Sequence, residues 1–129
     1  MKLFIADDSK IVCDRLTEML SEIKGVEIVG HAENAPEAIE SIVRLKPDVV
    51  IMDIRMPGGN GITVLEKIAQ MPFSPKVIML TNFPYPQYRK KCMDAGADHF
   101  LDKSAEFEKI PEILRELAEN EPFGKPEEG

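Results

Sequence analysis

The chain has 129 residues, of which 43% are hydrophobic and 30% charged, with a formal net charge of -7. That length makes one domain and leaves no room for a second, and the acidic balance argues against this chain gripping nucleic acid by itself, because such binders cluster Lys and Arg. No apolar run reaches the length of a bilayer span, the stretch after Met1 is too short for a signal peptide, and Cys13 and Cys92 stand apart without metal-ligand spacing, so the expectations are no membrane, a cytoplasmic location and two packing cysteines.

Leu3 to Ala6 reads as a short buried strand that ends in Asp7-Asp8. Ser9 is a candidate cap for a helix with apolar residues at Ile11, Val12, Leu16, Met19, Leu20 and Ile23, stopped by Lys24-Gly25. From Val26 to Ala32 the pattern alternates, Val26, Ile28, Gly30 and Ala32 against Glu27, Val29 and His31, which predicts a half-exposed strand near a sheet edge with His31 at the surface. Asn34 caps the next helix, Pro36 fits its first turn, and its stripe is Ala35, Ala38, Ile39, Ile42 and Val43 up to the stop at Lys46-Pro47.

Val49 to Met52 is apolar in succession rather than in alternation, the pattern of a strand covered on both faces. It delivers one carboxylate, Asp53, to a Met-Pro-Gly-Gly-Asn-Gly turn; taken alone, Asp53 serves equally well as a turn opener. A helix with Ile62, Leu65, Ile68 and Ala69 stops before Met71-Pro72, and Lys76 to Leu80 is a fourth strand ending in Thr81-Asn82. Pro84 and Pro86 bracket the entry to a fourth helix that runs through Tyr88, Cys92 and Met93 to Ala95-Gly96, and its basic run Arg89-Lys90-Lys91 reads as a solvated face. Asp98 to Asp102 is the fifth strand, followed by Lys103-Ser104. The last helix carries Phe107, Ile110, Ile113, Leu114 and Leu117, with Pro111 making its first turns irregular. A domain over residues 1–120 is then followed by a flexible tail or linker over 121–129, where periodicity is lost.

Strand and helix alternate five times, which predicts a single α/β domain with a doubly wound, five-stranded parallel sheet. Every strand then ends on one edge, and that edge gathers Asp7, Asp8, Asp53, Thr81 and Lys103. In the flavodoxin-like order 2-1-3-4-5, the winding reverses between the first and third strands, and a crevice opens between Asp7-Asp8 and Asp53. Carboxylates about 4 Å apart repel by ~4 kcal/mol per pair at an effective dielectric of about 20, so the three need a cation. Oxygen donors without His or Cys select a hard metal, and a small carboxylate set suits Mg2+, which keeps several waters. With the Lys103 ammonium and the Thr81 hydroxyl beside that metal, Asp53 is equipped as a nucleophile towards a phosphoryl group.

At these residues the sequence resembles the receiver domain of bacterial two-component response regulators, from about Lys2 to Leu117. The resemblance is carried by Asp7-Asp8, by Asp53 with Met56-Pro57-Gly58 and Gly61, by Thr81, by Ala95-Gly96-Ala97 and by Lys103. It implies that Asp53 is phosphorylated by a histidine kinase or phosphotransfer protein, that Asp8 and Asp53 bind Mg2+ directly and Asp7 through water, and that the backbone carbonyl of Arg55 completes the shell. It further implies that Thr81 and Lys103 meet the phosphoryl group and that Phe100 moves with Thr81 as a switch, although from spacing alone Phe100 is equally an ordinary core aromatic. The face made by the fourth helix, fifth strand and fifth helix is implied to meet a downstream protein or output domain, with homodimerisation on activation as one form of response.

The sequence departs from the family pattern in three ways, at four positions. Ser104 stands where receivers commonly carry a proline in a cis bond, which leaves the isomer of Lys103-Ser104 open. Asn82 replaces an often small residue, and Arg55 and Phe83 occupy positions that tune phosphoryl hydrolysis, where an arginine and a bulky aromatic would shield the group from water. Two other functions compete with a signalling switch. A metal-dependent phosphohydrolase would need a second acid two residues after Asp53, where this chain has Arg55, and a phosphorylation-independent interaction module is disfavoured by the intact acids, threonine and lysine. Output stays open between a stand-alone receiver and the receiver part of a longer DNA-binding transcription regulator.

Overall fold

Successive side chains of a strand point to opposite faces, so the unbroken apolar runs before Asp7 and Asp53 need cover on both sides. A computed structural model, which describes residues 1–120, provides that cover; the tail or linker expected over 121–129 lies outside the described residues. Strands β1 (Lys2–Ala6), β2 (Glu27–Ala32), β3 (Val49–Met52), β4 (Lys76–Thr81) and β5 (His99–Asp102) alternate with helices α1 (Lys10–Ser21), α2 (Ala35–Leu45), α3 (Gly61–Ile68), α4 (Pro86–Asp94) and α5 (Ile110–Asn120). All strands are parallel, in the spatial order β2-β1-β3-β4-β5, as the alternation predicts.

Phe4, Ala6, Val50, Met52, Val77, Met79 and Phe100 face α2, α3 and α4 in one apolar cluster. Their neighbours Leu3, Ile5, Val49, Ile51, Ile78, Leu80 and Leu101 face α1 and α5 in the other. Each fully buried Leu, Ile, Val or Phe contributes about 1.5–3 kcal/mol relative to exposure, so the central strands are held hard from both sides. Cys92 lies in the first cluster and Cys13 in the second; both are buried free thiols.

Local signals place the helix starts. The side chains of Ser9, Asn34 and Asn60 accept hydrogen bonds from Val12, Glu37 and Thr63 backbone N–H groups, capping α1, α2 and α3. Pro111 enters α5 behind a short 3-10 turn, Phe107–Lys109, which is the irregular start its missing N–H demands. Four expected stripe positions are not core: Ile11 is 73% exposed, Val43 43% and Met93 40%, and Ala69, the residue that follows the last turn of α3, is exposed as well. Val43 and Met93 sit one residue past buried Ile42 and Cys92, which rotates them off the packed face by about 100°, and Ile11 sits two before buried Cys13, on the far side of α1. Two features lie outside the sequence reading. The turn after Asp53 folds back as a two-residue antiparallel ribbon, Arg55–Met56 against Gly59–Asn60, and Val64 joins the buried stripe of α3. Every peptide bond among the described residues is trans, that of Lys103-Ser104 included. No helix among the described residues is long and apolar enough to cross a membrane.

Candidate functional site

Parallel register brings the strand ends together: Ala6 pairs with Met52, and Thr81 with Asp102. Asp53 N–H donates to the Ala6 carbonyl at 2.9 Å, and Asp7 N–H to the Ala32 carbonyl at 3.0 Å, so the ladder itself fixes where the two acids leave the sheet. One oxygen each from Asp7, Asp8 and Asp53 lies within 4.8 Å of the others. Asp7 and Asp53 are buried, whereas Asp8 faces solvent at the mouth.

Lys103 reaches into this cluster from the end of β5. Its Nζ donates to Asp7 Oδ2 at 2.8 Å and to Asp53 Oδ2 at 3.2 Å. The remaining oxygens are held by backbone: Ser9 N–H donates to Asp7 Oδ1 and Ile54 N–H to Asp53 Oδ1, both at 2.8 Å. Burial pushes the Asp53 carboxyl above its ordinary pKa; the Lys103 charge works against that rise and the Asp7 charge adds to it. For Lys103, burial is the largest single effect and lowers the pKa, but its hydrogen bond to Asp7 and the charges of Asp53 and Asp7 outweigh it and leave the ammonium strengthened. One lysine against three carboxylates leaves the site short of positive charge. The donor set, all oxygen and partly open to solvent, fits a hard divalent cation such as Mg2+.

Thr81 is fully buried, and its Oγ1 accepts from the Phe83 N–H at 3.0 Å. Its carbonyl accepts from Lys103 N–H at 2.7 Å, which ties the ends of β4 and β5 beside the acids. Phe100 is 5% exposed and lies in the apolar cluster under α4, away from the carboxylates. Asn82 is exposed and, with Arg15, Lys103, Ser104 and Phe107, lines an open groove of about 430 Å3. Arg55 and Phe83 are brought onto each other, the guanidinium 4.1 Å from the ring centroid. Gly61 belongs to the site through its backbone. A Cβ there would collide with the Asp53 carbonyl oxygen, and its N–H donates to the Ile54 carbonyl at 2.6 Å, so α3 starts flush against the acid turn. Gly58 takes φ +77, which lets the ribbon reverse. The glycines were legible as a turn, but nothing in a linear pattern marks which of them touches Asp53.

A doubly wound parallel sheet with an acidic crevice at its topological switch point defines a flavodoxin-like α/β domain whose site lies between β1 and β3. The family description "Response regulator receiver domain" matches residues 3–115, and the chain belongs to that family. It is 34% identical over 127 residues to an uncharacterized transcriptional regulatory protein, YvfU, of Bacillus subtilis, covering 98% of this chain and 64% of that relative. Among solved structures it resembles the response regulator domain of Thermotoga maritima CheB, with a TM-score of 0.81, 28% identity and 98% of each chain covered. It also resembles the isolated receiver domain of RcsB from Salmonella enterica serovar Typhimurium, solved with the phosphomimetic BeF3-, with a TM-score of 0.85, 30% identity, and 92% of this chain and 88% of that one covered. The chain spans less than two thirds of the length of the curated relatives it matches first.

Proposed function

We propose that this receiver takes a phosphoryl group onto Asp53 from a histidine kinase or phosphotransfer protein and answers by changing the surface around α4, β5 and α5. The supporting observation is the convergence of Asp7, Asp8 and Asp53 within 4.8 Å with one ammonium, Lys103, bound to two of them. In the transfer, an Asp53 oxygen forms a new P–O bond while the donor's P–N bond breaks and its electron pair stays with the histidine nitrogen. Asp8 and Asp53 would hold Mg2+ directly, Asp7 through water and Arg55 by its carbonyl, and the ion would supply positive charge against the oxygens of the transferred group.

The chain's own residues do the rest. Lys103 offsets charge from the side of β5, and Thr81, released from the Phe83 N–H, would turn its hydroxyl to the phosphoryl oxygens. Phe100, already inward beneath α4, is the candidate partner of that motion. Arg55 and Phe83, stacked on each other, would cover the approach to Asp53 and slow attack by water, with Asn82 shaping access for donors. A phosphohydrolase is not favoured, because the residue two after Asp53 is an arginine stacked on a phenylalanine and no second acid stands there.

Residues 1–120 form the working receiver in this reading, with 121–129 as tail or linker, acting in the cytoplasm. The relative named as a transcriptional regulatory protein supports a receiver that belongs to a longer regulator, with α4, β5 and α5 meeting an output domain, a separate protein or a second copy. Intact mass tests the chemistry. Incubation with an acyl phosphate and Mg2+ should add one phosphoryl group to the wild type, and none to Asp53→Ala or to the wild type in EDTA. A gain that survives in Asp53→Ala would move the acceptor elsewhere, and no gain would turn the reading to a phosphorylation-independent interaction module.

A further inference from the structure

The Arg55 guanidinium lies 4.1 Å from the Phe83 ring centroid. Phe83 stands 6.2 Å from Tyr85 with the rings at 47°, and Tyr85 stands 5.7 Å from Tyr88 at 42°, both tilted aromatic contacts. Four side chains therefore make one ladder from the residue two after Asp53 to the first turn of α4. Backbone bonds follow the same path: Tyr85 N–H donates to the Phe83 carbonyl at 2.8 Å, and the Tyr85 carbonyl accepts from Tyr88 and Arg89 N–H, each at 3.0 Å. Tyr85 caps α4 without a side-chain hydrogen bond, so that helix start depends on these contacts more than the capped starts of α1, α2 and α3 do. At its far end the ladder meets the core, since Tyr88 packs against the cluster that contains Phe100.

We propose that this ladder is a relay additional to the Thr81 and Phe100 pair, in which an anion on Asp53 draws the Arg55 guanidinium off the Phe83 ring and so re-seats Tyr85 and Tyr88 at the start of α4. The relay rests on the reading of Asp53 as phosphoacceptor. An exposed guanidinium on a half-buried ring is held weakly, whereas a phosphoryl group offers about 1.5–2 negative charges and three acceptor oxygens to the same cation. Two residues of chain put the Arg55 Cα no more than about 7 Å from that of Asp53, well within the side chain's reach. The stronger partner takes the arginine. Phe83, whose N–H also holds Thr81 Oγ1, then loses the cation that pins its ring, and the aromatic contacts beyond it shift in turn.

The chain carries two tyrosines and no tryptophan, and both tyrosines are rungs, so intrinsic emission reports on the ladder alone. Wild type, Arg55→Ala, Arg55→Lys and Phe83→Leu of the full chain would be treated with an acyl phosphate and Mg2+. An Asp53 oxygen displaces the carboxylate of the donor, which leaves with the P–O electron pair. Intact mass and acrylamide quenching of tyrosine emission would be read on the same samples and compared at equal phosphoryl occupancy. The wild type should change its quenching in proportion to the phosphoryl group gained. Arg55→Ala and Phe83→Leu should lose most of that change per phosphoryl group, and Arg55→Lys, which keeps a cation, should retain more of it than Arg55→Ala. A wild-type-sized change in Arg55→Ala or in Phe83→Leu, or phosphorylation of the wild type without any change in quenching, overturns the relay and leaves the acceptor reading standing. No mass gain in the wild type overturns the acceptor reading and the relay with it.

Discussion

The ammonium of Lys103 is anchored on Asp7 at 2.8 Å, closer than its 3.2 Å contact with Asp53, although the two acids follow different strands, β1 and β3. Because the Lys103 and Asp7 side chains are each less than a tenth exposed, solvent screens their pair little. Removing one partner of a buried pair strands the other's charge. Lys103→Met should therefore lose about 3 kcal/mol of stability in EDTA, read by urea unfolding, and should regain a larger share on adding Mg2+ than the wild type gains. Equal responses to Mg2+ in both would separate the lysine from the metal site.

Asp8 provides the opposite case. It is exposed at the mouth of the crevice while Asp7 and Asp53 are buried, so its charge matters little to folding until a cation is present. In EDTA, Asp8→Ala should lie within about 0.5 kcal/mol of wild type. With Mg2+ at ten times its dissociation constant, the wild type should gain about 1.4 kcal/mol and the variant far less. The same melting series checks both halves, and a variant that still gains fully would remove Asp8 from the proposed metal shell.

Much of this site was legible because strand ends in a parallel sheet share an edge whatever the loops do. Val49 to Met52 had to be a central strand, and Asp53 had to leave it at the crevice beside Asp7. The Arg55 and Phe83 contact was not legible as a stack, because it joins two loops whose mutual position depends on the whole sheet. Ile11, Val43 and Met93 match the stripes by apolar identity alone, whereas the 100° step per residue turns them off the packed faces. The glycines around Asn60 signal only a turn and hide its role as a cap, in which its side chain accepts from Thr63 N–H.

Cys92 carries a pH prediction. Burial alone pushes its thiol from the ordinary range up to about 11, and the residue has no accessible surface. An unfolded thiol gives up its proton near 8.5, so between that pH and about 11 the folded state holds a proton that the unfolded state has lost, and stability falls as pH rises. The slope approaches about 1.4 kcal/mol per pH unit for this one group. Urea unfolding between pH 8 and 10.5 should show a shallower decline in Cys92→Ala than in the wild type, even though the variant starts lower because of the cavity it leaves. Parallel declines would mean that the thiol ionises alike in both states. Iodoacetamide at pH 8 should leave Cys92 unmodified until the chain unfolds.

Gly61 links fold and chemistry through a single missing methyl group. Its position against the Asp53 carbonyl leaves no space for a Cβ, and its N–H is already committed to Ile54, so an added side chain has to push the start of α3 away from the acid turn. Gly61→Ala should cost about 1–3 kcal/mol, in the range of overpacked sites, and should also lower phosphoryl uptake on Asp53 because the displaced atoms belong to the acceptor residue itself. Gly25 is the control: it takes φ +88 but would meet nothing within 4 Å. Gly25→Ala should therefore cost about 1 kcal/mol from backbone strain and leave uptake unchanged. Intact-mass time courses beside urea unfolding would separate the two. If both variants lost uptake only in proportion to lost stability, the close approach at Gly61 would be a packing feature, whereas a selective loss in Gly61→Ala would show that the helix start holds Asp53 in its reactive position.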